Sequence, residues 1–315
     1  MNLPVGERLF GSFFDEVDGV VAVPARVSLA EIQREVAPRG WRFPLVLDRE
    51  APLVDQVSAS AFAPASSRFG PYCDNLTGMN WELPDGRRVR MGERVVKSTT
   101  GFDLHRFLLG TGDRYGHPTD FVLRLRPLGD AGTVWSLRGK SASLEEVARK
   151  LLHSSYLPWL ESFDWIGDRQ SAEPWLRLAV HCPKEELGMF GAWVQDMARP
   201  KGIHVEANPG DGSVSDGLPD AVVKTSPDHV FSLARQLARG TGIRWVGLCA
   251  CAAIHLYLPP EVRDPTQIQA LLEPLQERLW EEGGDWSSRH VSSTVVLAEE
   301  ASWLAVLRKE WGLAA

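Results

Sequence analysis

The sequence predicts an α+β fold in two parts, 1–129 and 133–315, and three observations carry that expectation. Apolar and polar residues trade places at period two in Asp120-Phe-Val-Leu-Arg-Leu-Arg-Pro127, the pattern of a half-buried strand. Beyond Thr133, short apolar runs alternate with segments of helical length, which points to an α+β layer built from βαβ-like units. Between these textures lies Gly129-Asp-Ala-Gly132, a natural boundary in a chain of 315 residues, longer than one typical domain.

The elements follow in order. Asp18-Gly19 separates the apolar runs 9–14 and 20–23, as in a hairpin. Ser28-Leu-Ala-Glu31 is a capping box that opens a helix of about nine residues. Pro38-Arg-Gly40 stops that helix, and Trp41-Arg-Phe43 re-enters as a strand. Residues 51–70 are mostly small and contain Pro64. They read as loop, lining a ligand or letting backbones approach closely. Residues 79–83 and 87–91 flank Pro84-Asp85-Gly86, where Pro presets φ and Gly takes the strained turn position. Asp103 is placed to cap a short helix over 104–109. In the second part, strands are expected at 133–137, 175–181 and 221–225, with two more within 243–258. Helices are expected at 147–152, after a Ser143-Leu-Glu-Glu146 capping box, and at 185–197, 228–239 and 265–282. The Gly/Asp/Ser-rich stretch 208–217 reads as a mobile loop.

Composition excludes several function classes. Hydrophobic residues at 44% and charged residues at 24% are ordinary for a globular protein. The net charge is −7, and Lys and Arg are scattered, so the basic stripe of a nucleic-acid binder is missing. Cys73, Cys182, Cys249 and Cys251 form no C-x-x-C pair, which argues against zinc and iron–sulfur cradles. Cys249 and Cys251 lie two apart in an apolar run, as core thiols on one face of a strand would. With no leader-like N-terminus and no apolar run of membrane length, a cytoplasmic location without a membrane span is the expectation. Twelve tryptophans are mostly core, and any exposed ones would mark an interface.

Three stretches resemble a known family. Gly19-Val-Val-Ala-Val-Pro-Ala-Arg-Val-Ser-Leu-Ala-Glu-Ile32 is similar to its "GVV-x-V-x-x-G-V-T-L-A-E-L" strand and helix. Arg68-Phe-Gly70, Asp74-Asn75, Gly78 and Leu83-Pro-Asp-Gly86 follow its "R-Y-G-x-x-R-D-x-V-L-G" run and "L-P-D-G" hairpin. Most specific is 93–127. There Arg94-Val-Val-Lys-Ser-Thr-Thr-Gly-Phe-Asp-Leu104, Gly110, Gly116, Thr119 and Leu123-Arg-Leu-Arg-Pro127 match "R-V-V-K-N-x-A-G-Y-D-L" and its sequel. The family is the FAD-linked oxidases of the vanillyl-alcohol-oxidase (PCMH) type. The order of elements after Thr133 resembles the cap domain of the E-type subunit of glycolate oxidase.

The resemblance implies a partial FAD-binding domain followed by a ferredoxin-like cap domain that would lie over the flavin ring. It also implies departures from the family at the cofactor. The family's glycine-rich diphosphate loop has no counterpart, so the chain reads as N-terminally truncated. The family's "I-G-G-N" turn becomes Leu53-Val54-Asp55-Gln56, with a carboxylate facing phosphate charge. Its "G-T-L-G-V-I-T" becomes Asp113-Arg-Tyr-Gly-His-Pro-Thr119, where Pro118 lacks an N–H. Val95, Val96, Leu104 and Leu123, at packing positions, fit the family. FAD is thus expected only in a partial or shared site, with none bound independently.

The implied cofactor-facing residues are Ser58, Ser60, Ser66, Lys97, Gly116, His117 and Thr119. Each also has a plainer reading. The serines serve close packing as readily as a ligand, and no G-x-S-x-G elbow accompanies them. Lys97 serves equally as an exposed loop residue, and His117 as a surface histidine. His255, in an apolar run without a second titrating partner, reads as a satisfied buried residue. No catalytic residue and no metal site is assigned. The reading that follows is an accessory subunit of a glycolate-oxidase-like 2-hydroxy-acid oxidoreductase complex, not catalytic by itself. Its partner would be a full-length FAD-linked oxidase subunit, a second copy of the chain, or both. The alternative is an FAD-binding oxidoreductase whose missing diphosphate-binding part comes from a partner chain. A homodimeric interaction module without redox chemistry is the third reading.

Overall fold

The computed structural model describes residues 13–92, 104–109, 115–129, 132–167, 173–210, 215–238, 243–259, 262 and 285–288. Its first part comprises β1 (Phe14–Asp15), β2 (Val20–Pro24), α1 (Leu29–Val36), β3 (Trp41–Arg42), α2 (Leu53–Ala59), α3 (Ser66–Phe69), α4 (Tyr72–Asn75), β4 (Leu76–Glu82), β5 (Arg88–Gly92), α5 (Leu104–Leu108), β6 (His117–Arg124) and β7 (Arg126–Pro127). Five of these strands form an antiparallel sheet in the order β1-β2-β6-β4-β5, and β3 pairs separately with β7.

Local chemistry explains the elements. The Ser28 hydroxyl accepts from the Glu31 N–H at 3.2 Å, and the Glu31 carboxylate accepts from the Ser28 N–H at 2.9 Å, so the capping box is complete. Leu29, Ile32 and Val36 recur at helical spacing and bury the inner stripe of α1. The hairpin around Pro84-Asp85-Gly86 forms as expected, with β4 and β5 in register from Gly78↔Gly92 to Glu82↔Arg88. Residues 51–70 depart from the loop expectation, because α2 and α3 form within them. Gln56 is the reason α2 holds. Buried, it accepts from the Leu47 and Asp48 N–H groups and donates to the Ala51 carbonyl, tying the helix to its entry loop. Pro64 lies between the two helices, where it interrupts neither.

The second part comprises β8 (Gly132–Arg138), α6 (Ser141–Leu152), β9 (Leu160–Gly167), β10 (Trp175–His181), α7 (Lys184–Ala198), β11 (His204–Gly210), β12 (Ala221–Lys224), α8 (Val230–Ala238), β13 (Arg244–Leu248), β14 (Ala253–Tyr257) and β15 (Asp285–Ser288). All eight strands join one antiparallel sheet, β11-β8-β10-β9-β13-β14-β12-β15. The order β8-α6-β9-β10-α7-β11 is a split βαβ arrangement. Leu144, Val147 and Leu151 of α6, Phe190 and Val194 of α7, and Val230, Phe231 and Ala234 of α8 pack with Phe163, Trp165 and Trp245 in one core. The helices therefore cover one face of the sheet, and the other face meets the first part of the chain, with α3 packed against β9. No helix among the described residues is long and apolar enough to cross a membrane.

The structure corrects three further expectations and adds two strands. Helix α6 starts at Ser141, two residues before the expected capping serine, and has no side-chain cap; Glu146 pairs instead with Lys150 and Lys201. Cys249 and Cys251 sit in a 3₁₀ turn between β13 and β14, closed by Ala252 at φ 54°, so they do not share a strand face. The stretch 208–217 is only partly loop. Asn208 lies in β11, and Ser215 and Gly217 both bond the Leu47 carbonyl, at 2.9 and 2.8 Å. Strands β9 and β11 gave no signal that the periodicity reading picked up; β9 is buried along its whole length, so alternation is absent. The helix expected at 265–282 and the Asp103 cap lie outside the described residues.

Candidate functional site

Chemistry-bearing side chains collect where the helix-free face of the second sheet meets β3, α2, α3 and β7. A β-bulge opens the first cluster. Leu160 pairs with Val180 and Ser162 with Ala179, leaving Glu161 as the extra residue of β9. The bulge keeps Leu160 on the helix-covered core with Phe163 and sends the Glu161 carboxylate toward the first part of the chain. There Arg42 of β3 grips it through both terminal nitrogens, Nη1 to Oε2 at 2.9 Å and Nη2 to Oε1. Arg68 of α3 reaches the same carboxylate at 3.3 Å and donates to the His181 carbonyl at 2.8 Å. Arg126 stands beside Arg42 because β3 and β7 pair in that register.

All three guanidinium groups surround the ring of Phe69, with Arg42, Arg68 and Arg126 at 5.7, 5.4 and 5.2 Å from its centroid. They line a cleft of about 410 Å³, closed on the other side by Trp159, Pro183 and Glu186. Gly129 sits at its edge with φ +50°, and a Cβ there would lie 2.2 Å from the His181 ring, so only glycine lets the chain pass. Arg126 differs from its neighbours. Its Nη2 donates to Asn75 Oδ1 at 3.0 Å, its buried Nε has no acceptor, and it has no ion pair among the described residues. Burial, then the charges of Arg124, Arg42 and Arg68, bring its pKa down to about 10.

The second cluster is sealed. Arg177 of β10 donates from Nε to Asp164 Oδ2 at 2.9 Å and from Nη1 to Asp216 Oδ1 at 3.0 Å. Arg244 of β13 adds a 2.6 Å bond to Asp216 and stacks over Tyr257. Burial pushes Asp164 up to about 6 against the pull of Arg177, and Asp216 adds to the rise. Burial would raise Asp216 as well, but Arg177 and Arg244 outweigh it and hold that carboxyl low. Close by, Ser60 Oγ lies 2.9 Å from His255 Nε2 and also accepts from the Phe62 N–H at 3.0 Å. Burial drives His255 down to about 4, so the imidazole is neutral, and its Nδ1 has no partner among the described residues. Phe62 completes the seal by packing against Ile166, Val246 and Leu248.

The seven sequence-derived candidates fall at several places. Ser60 is buried in the seam on His255, Ser66 accepts from the Ala63 N–H at 3.0 Å at the start of α3, and Ser58 is exposed on α2. Gly116, His117 and Thr119 lie together at the start of β6. At φ +107°, Gly116 has room for no Cβ, which would lie 1.9 Å from the Glu82 carbonyl oxygen. His117 is exposed opposite Glu82, and Thr119 donates to Asp120 Oδ2 at 3.0 Å. No hydrogen bond among the described residues links this group to the serine segment. Lys97 lies outside the described residues.

Comparison with known proteins fits this architecture. No protein-family model matches the chain. Over 114 residues it is 25% identical to an uncharacterized FAD-linked oxidoreductase of Mycobacterium tuberculosis, covering 36% of this chain and 25% of that protein. Over 128 residues it is 27% identical to the mitochondrial D-lactate dehydrogenase [cytochrome] of Arabidopsis thaliana, covering 41% and 22%. The chain thus matches a quarter or less of the length of these curated relatives. Among solved structures, an alkyldihydroxyacetonephosphate synthase superimposes with a TM-score of 0.62 at 12% identity, over 94% of this chain and 63% of the other. The chain shares the fold of that structure, a mixed α/β arrangement with antiparallel sheets.

FAD can therefore be tested against the described residues. The stretch 53–56, where the resemblance puts a diphosphate turn, is the first turn of α2, with Asp55 exposed and Gln56 committed to Leu47 and Asp48. The seam between α2–α3 and the second sheet is closed by Ser60, His255 and Phe62. A cleft of about 410 Å³ has the size of a small-molecule site, not of an extended dinucleotide. These residues do not form an FAD cradle. No group of three His, Cys, Asp or Glu side chains among the described residues could hold a metal ion.

The arginine cleft and the acidic network escaped the sequence reading, although a signal was present. Glu161, Asp164 and Arg177 are charges flanked by Leu, Phe and Trp in apolar strands, a placement that commits them to partners. Arg68 and Arg126 stand inside two of the matched motifs.

Proposed function

We propose that this chain is an accessory subunit of an FAD-linked oxidoreductase complex acting on a 2-hydroxy acid, of the glycolate-oxidase kind. It keeps the arrangement of an FAD-binding domain with a ferredoxin-like cap, and does not hold flavin by itself. The observation that carries this reading is the closed seam. Where the resemblance sets a cap over the flavin ring, the Ser60–His255 hydrogen bond and the Phe62 packing join the two parts directly among the described residues, which supports the reading. The D-lactate dehydrogenase names among the relatives support a 2-hydroxy acid as the substrate class of the complex. The partner in this reading is a full-length FAD-linked oxidase subunit, and the compartment is the cytoplasm.

The visible absorbance spectrum of the purified protein is the direct test. A colourless protein whose melting temperature does not move on adding FAD, and which co-purifies with a full-length FAD-linked oxidase when the two are co-expressed, is the expected result. Stoichiometric FAD on the isolated chain would overturn the reading. The alternative, a flavin shared between this chain and a partner, draws on the same FAD-linked relatives. It predicts that mutation of Lys97 or His117 abolishes dye-linked hydroxy-acid dehydrogenase activity of the complex, whereas a scaffolding role leaves that activity in place.

A further inference from the structure

We propose that the cleft between β3, α3, β7 and the start of α7 binds a small organic monocarboxylate with an apolar body, on this chain alone and without flavin. Charge accounting comes first. Three cations, Arg42, Arg68 and Arg126, face two carboxylates, Glu161 and Glu186, which leaves one positive charge in excess. The excess is localised. Glu161 is consumed by Arg42 and Arg68, and among the described residues Arg126 has only the neutral Asn75 amide as its hydrogen-bond partner. A planar guanidinium with free donors, desolvated beside other cations, is matched by a carboxylate, which takes two parallel N–H bonds from one fork.

Shape decides the rest of the ligand. Phe69, Pro127, Trp159 and Pro183 make up much of the remaining lining, so the part of the ligand beyond its carboxylate meets apolar surface. The volume of about 410 Å³ accommodates an aryl or branched acid and is poorly filled by a two- or three-carbon acid. Inorganic phosphate brings more charge than the single excess cation offsets and has no apolar body. Burial and, after it, like-charge crowding lower the pKa of Arg126, and the crowding is relieved when an anion enters. The site is separate from the seam at Ser60 and His255, so the inference does not rest on the flavin reading.

The experiment is isothermal titration and thermal melting of the full chain with benzoate, phenylacetate, D-lactate, acetate and inorganic phosphate. Benzoate or phenylacetate should bind and raise the melting temperature, with acetate, D-lactate and phosphate weaker. Arg126→Gln should weaken benzoate binding roughly tenfold, the loss of a charge-assisted pair, and change the unliganded melting temperature only slightly. Glu186→Gln, which removes a negative charge from the facing wall, should tighten binding; it serves also if the arginine variant does not fold. Absence of heat and of a melting shift with both aryl acids would overturn the proposal. So would benzoate affinity unchanged in both variants. Phosphate or acetate binding as well as benzoate would overturn the apolar-body assignment.

Discussion

Two charge clusters lie along the second sheet, one within it and one joining it to β3, α3 and β7, and they end differently. In the buried network, Arg177 pairs with both Asp164 and Asp216, Arg244 pairs with Asp216, and the neighbouring His255 is neutral. In the cleft, three arginines meet Glu161 and the rim residue Glu186, and space is left beside Arg126. A buried cluster in which two cations meet two carboxylates is a fastener. One with a cation left over beside a cavity is placed to receive something. Substitutions in the two clusters should therefore differ in what they damage: folding in the first, ligand binding in the second.

The largest effect is expected from Arg177→Ala. It leaves the buried Asp164 with no cationic partner among the described residues and Asp216 with Arg244 alone, and loss of one partner of a buried pair costs about 3–5 kcal/mol. Urea unfolding would measure it. The double variant Arg177→Met, Asp164→Leu removes both members of one pair and should recover much of that loss, since apolar replacement of a buried pair is often near neutral. Equal losses in the single and double variants would show that the network's role is not electrostatic.

Next is an acid dependence in which two buried groups oppose each other. His255 falls from its ordinary 6.5 to about 4 in the fold, so its contribution is fully present above about pH 6.5 and is lost as pH drops toward 4. The shift corresponds to on the order of 3 kcal/mol. Asp164 runs the other way. Raised from 3.8 to about 6, it favours the fold below its ordinary value, and that gain disappears as pH rises through 6. Asp216 and Arg177 act on both groups. Between pH 4 and 6.5 the wild-type stability should therefore change little from this pair. Asp164→Asn should make it fall steeply with acid, and His255→Gln should make it rise. Urea midpoints across that range would check both, and parallel profiles for the two variants would sink the assignment.

Much of the first part was legible because its signals are local. The Ser28/Glu31 box, the Pro84-Asp85-Gly86 turn and the alternation in β6 each arise within a few residues. Strand β9 was not, because a strand buried throughout has no polar period to betray it. The clusters were illegible for a different reason. Arg42 and Glu161 are 119 residues apart, and Ser60 and His255 are 195 apart. Single-residue signals mark such charges as needing partners without saying which. The resemblance implies Ser60 as a cofactor-facing residue while close packing serves equally, and in the fold its hydroxyl meets His255 and the Phe62 N–H.

That pairing gives the third prediction. Ser60→Ala removes a partner of a buried imidazole whose other nitrogen already lacks one, and an unsatisfied buried group costs about 1–3 kcal/mol. The loss should largely vanish in a His255→Leu background, where no imidazole remains to satisfy. Additive losses, measured as a double-mutant cycle, would mean that the two residues stabilise the seam independently.

The smallest effect should come from the cleft. Arg126→Gln deletes a cation that has no ion-pair partner among the described residues and that is crowded by Arg42, Arg68 and Arg124. Two small changes then compete: loss of the contact with the Phe69 ring, and relief of like-charge repulsion. Each is about 1 kcal/mol or less at a half-exposed site, so unfolding stability should move by no more than about that amount in either direction. Added salt separates them. Screening weakens the repulsion in the wild type more than it affects the neutral variant, so the stability of the wild type should rise relative to Arg126→Gln as salt increases. An anion that binds at Arg126 would stabilise the wild type in the same direction. Running the series in chloride and again in benzoate tells the two apart: screening acts alike in both, whereas a bound carboxylate adds stability only where it is present and only while Arg126 is there to hold it.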